Sequence, residues 1–121
     1  MSLASATMLN IMLQSCEAVL TLTEDVAPEG FFSSQLTQAE TLRHLRIIAE
    51  NVDRLPMENK TAMSEIDWAG WNVLLSQVRS SGGFERDAIW FAIRAMVPAT
   101  LMWLRVFRQQ QPALFSMTIR E

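Results

Sequence analysis

Apolar residues recur at three- and four-residue steps over most of the chain, and each run of them predicts a helix. The first run, Leu9, Met12, Leu13, Cys16, Val19 and Leu20, forms one stripe of a helix expected over residues 5–24. Pro28 and Gly30 break it. Residues 26–36 read as a connection with Phe31 and Phe32 tucked against the bundle, because two adjacent exposed phenylalanines would make a sticky patch. Thr37-Gln38-Ala39-Glu40 has the form of a capping box and starts a second helix, with Leu42, Leu45, Ile48, Ala49, Val52 and Leu55 as its stripe and Pro56 as its end. Residues 57–65 are a polar connector with room for one helical turn. Trp71, Leu74, Leu75 and Val78 mark a third helix over residues 68–80, capped by Asp67 and stopped by Ser80-Ser81-Gly82-Gly83.

The longest pattern runs from Phe84 or Glu85 to about Gln111, apolar at Ile89, Trp90, Ile93, Val97, Leu101, Leu104 and Phe107. Because that stripe keeps its phase, Pro98 is predicted to kink one continuous helix rather than to divide two. The same helix is apolar on a second side, at Phe91, Ala92, Met96, Met102 and Trp103. A membrane span would have to carry Arg94 near its middle, and a mid-bilayer arginine costs at least about 2.5–3.5 kcal/mol. Burial against a second subunit accounts for the second apolar side without that cost, and it makes Trp90, Phe91, Met102 and Trp103 the candidate dimer interface. Strand-like alternation occurs only at residues 114–119, in a tail (112–121) expected either to be disordered or to pack on a neighbour.

The expected fold is therefore all-α: a single domain over residues 1–121, built as an up-and-down four-helix bundle with a short extra turn in the connector. Residues 1–4 are expected to be flexible, and Met1-Ser2-Leu3 to be a remnant of cloning. Composition agrees, since 50% hydrophobic and 19% charged residues supply a core that needs no staples. Cys16 is the only cysteine and His44 the only histidine, so neither an internal disulfide nor a four-ligand zinc site can be built, and a reducing cytoplasm fits. The first basic side chain is Arg43, so the N-terminal apolar run lacks the positive flank of a secretory signal. The net charge of −3 divides unevenly: residues 1–75 hold four basic and ten acidic side chains, residues 76–121 six basic and three acidic. The first part is a poor surface for polyphosphate, and nucleic acid is not an expected partner.

No phosphate-binding glycine loop, paired-cysteine motif, His-Glu-x-x-His pattern or Gly-x-Ser-x-Gly elbow occurs. His44 lies four residues after Glu40, where helix geometry lets the two side chains meet, an arrangement common on helix surfaces without any catalytic role. A Ser or Cys nucleophile beside His44 stays open, although Cys16 falls on an apolar stripe and is expected to be an inert core thiol. Trp68, Trp71, Trp90 and Trp103 and the eight methionines read as core and interface packing. No catalytic, metal-binding or cofactor-binding residue is assigned.

The segment TQAETLRHLRIIAENVDRL at residues 37–55, followed by Ile66-Asp67-Trp68 and then Asp87-Ala88-Ile89-Trp90, resembles the HepT-like branch of the HEPN domain superfamily, in order and spacing over roughly residues 8–111. Leu-x-Ile-Ile-Ala-Glu at residues 45–50, the Ile66-x-Trp68 pair and Pro98 carry the resemblance most closely. It implies a HEPN-like helical bundle that pairs into a homodimer, often encoded beside a small nucleotidyltransferase as a toxin–antitoxin pair. Active members of that branch are RNases whose Arg and a closely following His, often with a Tyr just beyond, form a composite site between two subunits. Here the Arg position falls near Leu75, the Asn that commonly follows it near Ser76, and the His near Ser80 or Ser81. Asn72 and Arg79 lie close by without the required partner, no histidine follows His44, and the chain has no tyrosine. The expectation is a non-catalytic, dimeric interaction or regulatory module, a relic of a toxin–antitoxin component. Two alternatives stand beside it: a divergent RNase using Arg79, Ser80 or His44, and a substrate-binding partner for a nucleotidyltransferase.

Overall fold

The computed structural model describes residues 2–81 and 85–117; every regular element among them is helical. The helices are α1 (Leu3–Thr23), α2 (Pro28–Ser33), α3 (Gln35–Arg54), α4 (Met57–Ala62), α5 (Trp68–Ser81), α6 (Arg86–Phe91) and α7 (Val97–Gln110). A π-helical stretch, Ala92–Met96, joins α6 to α7, and a 3-10 turn, Pro112–Phe115, follows α7.

Helix α1 begins earlier than its apolar stripe suggests, because Ser2 caps it by accepting the Ser5 N–H at 3.1 Å. Ser2 and Leu3 therefore belong to the helix start and are not a loose tail. The chain leaves α1 through a turn in which Glu24 is extended (φ −63°, ψ 139°), Asp25 is left-handed (φ 58°) and Val26 N–H reaches Thr23 O at 3.3 Å. This is type II geometry, in which glycine usually takes the left-handed position and aspartate is tolerated.

Residues 26–36 are more ordered than a connection. Pro28 sits at the first position of α2, where its missing N–H costs nothing, so a residue read as a breaker is here a helix start. Phe31 is fully buried and Phe32 half-buried, in edge-on contact at 4.9 Å. Helix α3 starts at Gln35 rather than Thr37. Its cap is Ser34, whose hydroxyl accepts the Thr37 N–H, and Gln38 rather than Glu40 reaches back, to the carbonyls of Phe32 and Ser34. The connector after Pro56 contains α4, and Asp67 caps α5 by accepting the Gly70 N–H at 2.9 Å. Gly82, Gly83 and Phe84, assigned to the stop of the third helix and the start of the fourth, lie outside the described residues, as does Ile119.

The long helices pack in the order α5, α3, α1, α7, with α1 and α3 sharing the most extensive contact. Trp71 on α5, fully buried, donates its indole N–H to the Thr100 hydroxyl on α7 at 3.0 Å and so joins the two ends of that series. The apolar stripes supply the core: Leu9, Met12, Cys16, Val19, Leu45, Ile48, Val52 and Leu104 are each fully buried. The described part of the tail turns back on its own chain, because Leu114 and Phe115 are buried beside α1 and α7 and Asn10 on α1 donates to the Phe115 carbonyl at 3.0 Å.

Residues 86–110 form one continuous helix, with no break at Pro98. Proline has no N–H and its ring crowds the carbonyl four residues back, here that of Arg94. The helix meets that constraint just upstream by widening to π geometry, with Val97 N–H bonded to Ala92 O, five residues back. Widening also broadens the buried face. Ala92 and Met96, expected on the second apolar side, are turned into the core beside Ile93 and Val97. Both α1 and this last helix are long and apolar enough to cross a membrane, by length and composition alone.

Candidate functional site

The single histidine, His44, is a half-buried side chain on α3. Its Nδ1 lies 3.2 Å from the Ser15 hydroxyl on α1 and its Nε2 lies 3.3 Å from Arg43 Nη2. A guanidinium can only donate, so Nε2 is the acceptor and the ring proton sits on Nδ1, pointing at Ser15. Desolvation, and then the neighbouring Arg43 charge, hold the His44 pKa below its usual value, outweighing the opposing pull of Glu40. The neutral ring therefore has its lone pair engaged by Arg43 and its proton directed at the Ser15 hydroxyl. That is the reverse of a base poised to take a proton from serine. Ser15 is itself buried at 4% exposure, so the pair serves as a polar tie between α1 and α3.

Glu40 does not meet His44 by hydrogen bond as the helix spacing allowed. Its carboxylate pairs with Arg43 at 3.0 Å, and this hydrogen bond and charge lower its pKa. Cys16 is fully buried, and burial pushes its thiol up to about 12, as expected of a core residue.

The residues at the RNase motif positions do not converge with His44. Leu75, near which the resemblance sets the arginine, is in the core at 4% exposure. Ser76 and Ser80 are exposed, and the Ser80 hydroxyl is bonded back to the carbonyls of Ser76 and Gln77 on its own helix. Arg79 reaches Asp53 at 3.7 Å, near the end of α3. Asp53 is nine residues beyond His44, which on an α-helix is about 13.5 Å along the axis and about half a turn around it. Within one protomer, Arg79 and His44 thus stand on opposite sides of α3. No cluster of three or more metal-ligating side chains occurs among the described residues.

The four candidate interface residues divide into two kinds. Trp90 is engaged within its own protomer: Phe31 and Phe32 lie at 5.9 and 6.2 Å from its ring and the Arg94 guanidinium rests 4.6 Å over it. Arg94 also donates to the Val26 carbonyl, tying the last helix to the turn after α1. Trp103 is half-buried, 5.9 Å from the Phe107 ring. Phe91 and Met102 are 60% and 50% exposed and face outward. Sequence reasoning passed over Ala95 and Ala99, both exposed between them, because alanine carries no signal in an apolar pattern. Beside this strip runs a shallow groove of about 140 Å³, with Met96 and Thr100 on the helix side and Glu65, Ile66 and Asp67 opposite.

No family model matches this all-helical chain, and no solved structure matches it. Among curated proteins it is similar to one from Methanocaldococcus jannaschii named "Gamma-glutamylcyclotransferase and putative RNase", at 28% identity over 91 residues. The aligned segment is 74% of this chain and 41% of that protein, so the chain spans less than half the length of the relative it matches.

Proposed function

We propose that the chain is a non-catalytic, HEPN-like four-helix bundle that works as a homodimeric interaction or regulatory module, related by descent to RNA-cleaving toxins. The observation that carries this reading is the state of the only histidine. Its acceptor nitrogen is taken by Arg43, its proton points at buried Ser15, and Arg79 lies across α3 from it. Loss of a general base alone commonly lowers a rate by about 10²–10⁴, and here a core leucine occupies the place of the matching arginine. The exposed apolar strip on the last helix supports the binding half of the proposal.

One observation favours a second reading, that of a divergent RNase: the relative's name includes an RNase activity. A panel of single-stranded RNAs incubated with wild type, His44→Ala and Arg79→Ala separates the two. The expected result is no cleavage above background by any of the three. Metal-independent cleavage that disappears in either variant would overturn the non-catalytic reading.

A further inference from the structure

Two guanidiniums rest on two aromatic rings at the end of the molecule where α2 meets the start of the last helix. Arg94 lies 4.6 Å over Trp90 and also donates to the Val26 carbonyl, so a backbone hydrogen bond locks it in place. Arg86 lies 4.2 Å over Phe32 and is exposed. Although Glu85 and Asp87 flank it in sequence, it makes no ion pair or hydrogen bond among the described residues. It is also the first residue of α6, where the helix dipole disfavours a cation. One guanidinium is fixed; the other is held by a ring face, a contact worth a factor of about 2–5 at an exposed site.

The loosely held one lies in a cleft. Pro28, Phe32 and Trp90 form its apolar wall and Glu85, Arg86 and Asp87 its charged rim, around a volume of about 640 Å³. Sites for small molecules commonly enclose about 300–1,000 Å³. The rim carries two carboxylates against one guanidinium, so a cation is attracted and an anion is not. Aromatic faces beside carboxylates are the surroundings that ammonium and guanidinium groups select, and Arg86 shows that the Phe32 face accepts such a group.

We infer that this cleft binds a small organic cation, a guanidinium or methylated ammonium group on an apolar stem, which takes the Phe32 face by displacing Arg86 and sets its charge between Glu85 and Asp87. Arg86 is then a built-in competitor for the site. Trp90, fixed under Arg94, is a wall of the cleft rather than the ring that receives the ligand. Binding there depends on neither a second copy of the chain nor RNA.

The test is isothermal titration calorimetry of the full chain with four probes: choline as a free cation, acetyl-arginine amide as the side chain a peptide presents, the uncharged isostere of choline with carbon in place of nitrogen, and benzoate as an anion. Saturable binding of at least one cation at millimolar concentration is expected, with the isostere and benzoate silent. Binding of choline supports a site for a free cation, and binding of the arginine amide alone a site for a peptide side chain. Arg86→Gln is expected to tighten the cation by about 2–5-fold, and Asp87→Asn and Phe32→Leu to weaken it by at least about 3-fold, with helical circular dichroism unchanged. A cation that binds no tighter to Arg86→Gln, an isostere that binds as well as choline, or benzoate bound in place of the cations overturns the site. So does the absence of binding of either cation to wild type and Arg86→Gln alike.

Discussion

The inner and outer sides of the last helix are both apolar, yet they obey different rules. On the inner side Ile93, Val97, Leu101 and Leu104 are buried in the core, where α1 is the main neighbour, and Trp71 on α5 reaches across to Thr100, so packing and hydrogen bonding are both specified. On the outer side Phe91 and Met102 are 60% and 50% exposed, and small alanines separate them. Apolarity alone does not distinguish a residue that holds the fold from one left at the surface; what it touches does.

The sharpest way to break this contrast is Trp71→Ala. It empties a large site and leaves the Thr100 hydroxyl unpaired, and is expected to cost about 3–5 kcal/mol in denaturant unfolding. Trp103→Ala is the intermediate case. Full burial would give the same loss, but the ring is only half-buried, so about 1–3 kcal/mol is expected from equilibrium unfolding. An effect equal to that of Trp71→Ala would mean that the outer side is structural after all.

Thr41 on α3 offers a test of opposite sign. It is fully buried and its hydroxyl has no partner among the described residues, so the nearly isosteric Thr41→Val is expected to raise stability by about 1 kcal/mol. A fall in melting temperature would show that the hydroxyl is satisfied. His44 extends the contrast to pH. Its folded pKa lies below the unfolded value of about 6.5, so the unfolded chain binds the proton more readily. Its contribution is complete above about pH 6.5 and is lost as pH falls through the folded pKa. Melting temperature is expected to drop on acidification from about pH 6.5 down to the folded pKa, and to drop less in His44→Gln, which keeps a polar group beside Ser15. The smallest effect is expected for Phe91→Ser at concentrations where the chain is monomeric, within about 0.5 kcal/mol of wild type by chemical denaturation.

Much of the core was legible because helical periodicity is a local signal: the stripes on α1, α3, α5 and the last helix are the buried faces, with Leu20, Leu42 and Trp90 only half-buried. The start of α3 was misread because Ser34 and Thr37 both suit a cap, and the choice between them was made by Gln38 reaching Phe32 O and Ser34 O. Helix α2 was missed because proline and glycine punctuate loops more often than they open helices. The tail was left between disorder and packing on a neighbour because nothing near it in sequence announces that Asn10, 105 residues earlier, holds Phe115. The same distance problem hid the partner of His44, since Ser15 is 29 residues away and lies on another helix. Absence was easier to read than presence: no rearrangement of the fold can supply a second histidine.

The π turn at Ala92–Met96 acts as an angular adjuster. It accommodates one residue more than an α-helical path of the same length, and each residue of an α-helix corresponds to about 100° of rotation. The bearing of Phe91 relative to Met102 is therefore set by that one surplus residue and not by the side chains themselves. A lineage that gained or lost a residue here would swing one end of the outer strip around the core while leaving the identity of every packed residue intact.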